Sequence, residues 1–169
     1  MEYWDIYTKD RKKTNKVVKR GEVLKDDEYH LVVNVWIKND NDEYLITQRA
    51  NNKSFAGMWE CTGGSVLKGE STYTAALREA EEELGINLQN APFNLVGSIA
   101  RQFENCPDIL DVWLFNANFP LESVKIQEEE VQDVKWATKE EILKMYDNGE
   151  FEANAFFIET LNYCKEDNN

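Results

Sequence analysis

The sequence predicts an α/β fold, a mixed β-sheet sandwiched between α-helices. Three observations predict it. Short runs rich in β-branched and aromatic residues lie both before and after one helical stretch. That stretch, Thr72 to Leu84, carries apolar residues at helical spacing and is followed at once by a glycine. Two more helical segments follow the last strand, which gives the helices needed to cover a sheet. At 169 residues the chain can bury a sizeable core. It reads as a single domain over 1–169, with an N-terminal hairpin extension at 1–25 and a polar tail at 165–169.

Taken in order, Tyr3–Tyr7 reads as a strand, Lys9–Asn15 as a turn, and Lys16–Val23 as a returning strand. His30–Ile37 (HLVVNVWI) is β-branched and almost continuously apolar, the pattern of a central strand. Asn39–Asp42 is a turn, and Glu43–Arg49 the partner strand. Asn51–Met58 is a loop, and Trp59–Gly63 a short strand leading to the helix. Beyond the helix, Phe93–Phe103 reads as one or two strand segments and Ile109–Ala117 as the returning strand, joined by a turn at Glu104–Asp108. Val134–Trp136 is a last short strand. Thr138 and Glu141 form a capping box that starts a helix running to about Tyr146. Ala153–Cys164 reads as a final amphipathic helix.

The helix Thr72–Leu84 carries the chemistry. Ser71 suits its N-cap and Gly85 its left-handed C-terminal position. At about 100° per residue, Glu79, Glu82 and Glu83 share one arc, and Glu81 points elsewhere. Tyr73, Ala76, Leu77, Ala80 and Leu84 fill the neighbouring arc and should face the core. Like charges on one helix face repel, so a cluster of this kind calls for a cation. Carboxylate oxygens are hard ligands and suit Mg²⁺ or Mn²⁺. A solvated acidic helix would explain a run of glutamates. It would not explain a glycine and a glutamate at set distances upstream.

The stretch Gly64–Ile86, GSVLKGESTYTAALREAEEELGI, resembles the signature of the Nudix hydrolases. Gly64, Glu70, Arg78, Glu79, Glu82, Glu83 and Gly85 fill its fixed positions, and Ala80 and Ile86 its apolar ones. The approach, QRANNKSFAGMWECTGG, is similar too, with Ala56 and Thr62 where the family often has proline. The resemblance implies the α/β/α Nudix fold and hydrolysis of a diphosphate bond in a nucleoside diphosphate derivative or nucleoside triphosphate. It implies Mg²⁺ or Mn²⁺ held by Glu79, Glu82 and Glu83, with Gly63 and Gly64 offering backbone contacts to metal or phosphate. Glu70 and Arg78 would pair and pin the loop to the helix, with a chemical role as the alternative, Glu70 then reaching a metal. The general base is Glu79 or Glu83, or one of the loop carboxylates Glu104, Glu128, Glu129 and Glu130. Metal ions would neutralise the diphosphate and lower the pKa of a water.

Two other readings are set beside this one. His30, the only histidine, matches a metal-binding histidine of isopentenyl-diphosphate isomerase, a relative of the same fold. That enzyme's catalytic cysteine would fall at Gly63, however, and its next histidine at Ser65; Cys61 is out of register. A Nudix-fold module that binds without turnover is the other reading, and the full carboxylate set argues against it.

Composition sets the remaining bounds. A formal net charge of −13 disfavours sequence-independent binding to duplex nucleic acid. Lys12, Lys13, Lys16, Lys19 and Arg20 form a basic set that reads as a solvated face, with phosphate contact as the lesser alternative. Three cysteines without metal-ligand spacing suggest reduced thiols and a cytoplasmic setting. The first 30 residues lack a signal-like apolar stretch, and no run is long enough to span a membrane. Trp36, Phe55, Trp59, Phe103 and Phe156 are read as packing side chains, with base stacking as the alternative. The partner is a small-molecule phosphoanhydride; the oligomeric state is open, a homodimer included.

Overall fold

A computed structural model describes residues 1–164. The tail 165–169 lies outside the described residues. Strands β1 (Tyr3–Tyr7) and β2 (Lys13–Lys19) pair antiparallel as a hairpin. The main sheet contains β3 (His30–Lys38), β4 (Glu43–Arg49), β5 (Trp59–Glu60), β6 (Thr62–Ser65), β7 (Phe93–Arg101), β8 (Asp108–Asn116) and β9 (Val131–Thr138). Helices are α1 (Thr72–Leu84), α2 (Lys139–Asp147) and α3 (Phe157–Leu161). The expected mixed sheet between helices is therefore present.

β3 is central, as its apolar run requires. It pairs parallel with β8 over its whole length and antiparallel with β6 from Val32 to Val35. Because side chains alternate along a strand, β3 feeds two cores. Leu31, Val33, Val35 and Ile37 pack with Ala75, Ala76, Ala80 and Leu84 of α1. On the other face, Trp36 joins Ile142 and Met145 of α2 and Phe157 and Leu161 of α3. Small residues on α1 bring that helix close to the sheet. Gly85, at φ +65°, ends α1 and sends its N–H back to Glu81.

β3 and β4 stay together only at their turn, where Lys38 pairs with Tyr44. Beyond it β4 pairs with β9 and β5, while β6 takes the place beside β3. The two halves of the sheet thus diverge, and a cleft opens where they do.

Four elements differ most from expectation, the others by at most two residues at an end. The Trp59–Gly63 strand is two strands, because residues before Cys61 pair with β4 and those after it with β3. The hairpin's second strand starts at Lys13 rather than Lys16 and stops at Lys19, ahead of Gly21 at φ +93°. β9 is longer than Val134–Trp136, because β4 offers it partners from Glu43 to Arg49. The final helix begins only at Phe157. Phe156 adopts φ +62°, which breaks the helical run from Ala153, and Asn154 is held by Arg101.

Candidate active site

The cleft is about 280 Å³. β3 supplies its floor, β6 the glycines Gly63 and Gly64, and α1 Glu83. The end of β4 supplies Arg49, and β5 supplies Glu60. A second depression continues from it along Arg78, Glu79 and Glu82. Both share Gly63, Gly64, Glu83, Glu130 and Arg20.

Arg78 is the hub of the acidic wall. Its Nε and Nη2 donate to the two carboxylate oxygens of Glu70 at 2.8 and 3.0 Å. Nη2 also donates to the Ser65 carbonyl at 3.0 Å. Nη1 donates to Glu79 at 2.9 Å and to Glu82 at 3.1 Å. Glu70 accepts from the Leu67 N–H as well, at 2.9 Å, so the loop before α1 is tied to the helix. Burial alone would raise the Glu70 pKa; the guanidinium and the amide outweigh it and hold it below the ordinary range. Burial likewise opposes charge on Arg78, but Glu70 and Glu79 overcome it and raise its pKa.

Glu79 and Glu83 behave differently. Burial raises the Glu79 pKa against the pull of Arg78. Burial pushes Glu83 up to about 8, against a hydrogen bond donated by Thr62. The negative charges of Glu79, Glu60 and Glu130 push the same way. Glu83 has no cationic partner among the described residues. Glu82 is the most open of the three, at 55% side-chain exposure, and Glu81 faces solvent as the helical wheel requires.

The donor set fits a divalent cation. Buried carboxylates with raised pKa values and no sufficient counter-charge are stabilised by a positive ion. A Cβ on Gly64 would overlap the Glu79 carboxylate, so the glycine leaves that carboxylate its place. At Gly63 a Cβ would strike the Val33 carbonyl oxygen across the β3–β6 ladder. Among the described residues, no three acidic, cysteine or histidine side chains close on one point. Arg78 Nη1 bridges the Glu79 and Glu82 carboxylates, and Glu83 accepts instead from the Thr62 hydroxyl.

The opposite wall is cationic, and sequence reasoning missed most of it. Arg49 pairs with Glu60 at 2.9 Å, Lys53 with Glu130 at 2.5 Å, and Arg101 with Asp108 at 2.7 Å. Arg20, from the hairpin, pairs with Glu2 at 2.5 Å on the lip. Of the basic set read as a solvated face, Lys13 and Lys16 are paired with Asp5 and Glu28, and Arg20 alone lines the cleft. Of the loop carboxylates, Glu130 lines the cleft; Glu128 and Glu129 border another depression. None of Trp36, Phe55, Trp59, Phe103 and Phe156 lines it.

His30 and Cys61 have structural surroundings. His30 is buried, stacked on Trp4 with ring centroids 4.0 Å apart, and burial lowers its pKa. Cys61 is buried, and burial raises its thiol pKa well above the ordinary value, which disfavours a thiolate.

A family description of the NUDIX domain matches residues 28–157, which takes in every element from β3 to α2. The chain belongs to the Nudix hydrolases. An uncharacterized Nudix hydrolase of Listeria monocytogenes is 37% identical over 166 residues, 95% of this chain and 94% of the relative. An Escherichia coli 8-oxo-dGTP diphosphatase is 36% identical over 78 residues, 46% of this chain and 59% of that one. A Deinococcus radiodurans protein of known structure superposes with a TM-score of 0.74 at 21% identity, covering 98% of this chain and all of that one. That likeness shows the fold. Nudix hydrolases generally cleave pyrophosphate bonds of small molecules and generally use divalent metal ions. Among the described residues of this Nudix hydrolase, no helix is long and apolar enough to cross a membrane.

Proposed function

We propose that this Nudix hydrolase cleaves the diphosphate bond of a nucleoside diphosphate derivative or nucleoside triphosphate by attack of water at phosphorus. One observation carries the reading: a single cleft sets buried, under-neutralised carboxylates on α1 against a wall of arginine and lysine. Such a cleft suits a polyanion bridged by cations. Mg²⁺ or Mn²⁺, held by Glu79, Glu82 and Glu83, would neutralise the diphosphate and acidify water. Arg20, Arg49 and Lys53 orient the phosphate oxygens from the other side. Gly63 and Gly64 let the β6 backbone approach them. Glu70 and Arg78 fix the loop and aim Glu79. Glu79, Glu83 and Glu130, which line the two depressions, are our candidates to take the proton of the attacking water.

The 8-oxo-dGTP diphosphatase and a Shewanella oneidensis Nudix domain complexed with ADP-ribose support the nucleotide class. We read 1–169 as one domain acting in the cytoplasm, where its three free thiols would stay reduced. The test is turnover of ADP-ribose, dGTP and their analogues with Mg²⁺ or Mn²⁺ and with excess EDTA. Metal-restored formation of AMP and ribose 5-phosphate from ADP-ribose, or of dGMP or dGDP from dGTP, supports the reading; nucleotide binding without turnover would leave a binding module.

A further inference from the structure

Asn34 sits in mid-β3, paired with Gly63 on one side and Val112 on the other, so its backbone lies within both ladders. The alternation of β3 turns its side chain away from α1 and onto the cleft floor. The residue is 8% exposed. Among the described residues its carboxamide has no hydrogen-bond partner, although Arg101, Asn154 and Glu60 line the same cavity. Unlike the indole nitrogens of Trp4 and Trp113, the carboxamide is not a buried orphan: solvent in the cleft reaches it, and a ligand that displaces that water must replace its hydrogen bonds. Here the open side is the cleft that holds Glu83.

We propose that Asn34 is a specificity residue that reads the group attached to the diphosphate. Its carboxamide offers an acceptor oxygen beside two N–H donors, which matches neighbouring donor and acceptor atoms on a nucleoside. A hydrocarbon group would leave the amide unpaired, so prenyl diphosphates are rejected. This rests on the hydrolase reading above and narrows it to substrates with a hydrogen-bonding group next to the phosphates. Sites built to hydrogen-bond a substrate discriminate strongly against analogues that lack the partner.

The experiment compares the wild type with Asn34→Val and Asn34→Ala. It measures the Tm of each metal-free protein, calorimetric binding of ADP-ribose and dGTP, and KM and kcat with Mg²⁺. Inorganic tripolyphosphate is the probe without a nucleoside. A residue that serves the ligand leaves the free protein no less stable when replaced, so the Tm of Asn34→Val should hold or rise. KM for at least one nucleotide should rise roughly tenfold with kcat little changed, and tripolyphosphate hydrolysis should not move. If the wild type binds nucleotides without turnover and the variants bind about tenfold more weakly, the inference stands and the hydrolase reading fails. A lowered Tm in both variants with unchanged KM makes Asn34 structural and overturns the inference. So does unchanged nucleotide affinity in both variants, or a wild type that neither binds nor turns over either nucleotide.

Discussion

The two site glycines separate fold from function. A methyl group at Gly63 meets backbone, the Val33 carbonyl oxygen and the Asn34 Cα. Neither can move without disturbing the β3–β6 ladder. Overpacking of this kind costs about 1–3 kcal/mol. In a chain of this size each kcal/mol lowers Tm by roughly 2–4 °C, so Gly63→Ala should melt roughly 2–12 °C lower. The three atoms nearest a methyl group at Gly64 all belong to the end of the Glu79 side chain. That carboxylate can swing, at the expense of its 2.9 Å hydrogen bond from Arg78. Gly64→Ala should therefore melt close to the wild type. Misplacing a catalytic group by about 1 Å can cost on the order of 10²-fold, and turnover should fall by about that much. The assay is thermal denaturation of both variants alongside initial rates at saturating Mg²⁺. Wild-type rates in Gly64→Ala, or a wild-type Tm in Gly63→Ala, would refute the reasoning.

Further outcomes follow from the same contacts. Glu83→Gln should lower turnover at least ~10²-fold and Glu81→Gln by no more than about twofold; equal damage from both, in steady-state rates of folded variants, would mean the wrong helix register. Glu83 is held above its unfolded value, so the metal-free protein binds the extra proton and loses stability as pH rises from about 4.3 towards the folded value of about 8. That slope should become shallower in Glu83→Gln, with the contributions of the likewise raised Glu79 and Glu60 remaining, as denaturant melts across the window would show. Asp111 is 1% exposed; burial raises its pKa, but Arg11, Ser98 and Thr72 outweigh this and lower it. Its contribution is thus present above the unfolded value and lost as pH falls through the folded one, and Arg11→Ala should cost roughly 2 kcal/mol at neutral pH in urea titrations. Cys61→Ala should leave hydrolysis nearly unchanged, and a loss of several orders of magnitude in a folded variant would restore a role for the thiol.

What could be read in the sequence is what local chain geometry decides. α1 starts after Ser71, stops at Gly85 and turns its glutamates to one side because caps and a 3.6-residue period are local properties. The glycines and Glu70 lie close enough in sequence to be placed relative to that helix. The cationic wall was not legible. Arg20, Arg49, Lys53 and Arg101 come from the hairpin, β4, the loop after it, and β7, and only the pairing of the sheet brings them together. Asn34 was hidden inside an apolar run, where a single amide carries no signal of which face it takes. The split at Cys61 and the lengthening of β9 likewise depend on which strand is the partner, and composition does not encode that. The shortened α3 follows from one left-handed residue, Phe156, within a stretch whose pattern is helical.

Turnover in H₂¹⁸O tests the central claim most directly. The protein is stripped of metal, then assayed on ADP-ribose and dGTP with excess EDTA and again after Mg²⁺ or Mn²⁺ is restored in excess. Mass spectrometry of the products follows the label. The account predicts no turnover in chelator, recovery with the metal, and ¹⁸O in a phosphate product. Full turnover in chelator, or metal-restored product whose phosphates carry no label, would contradict it.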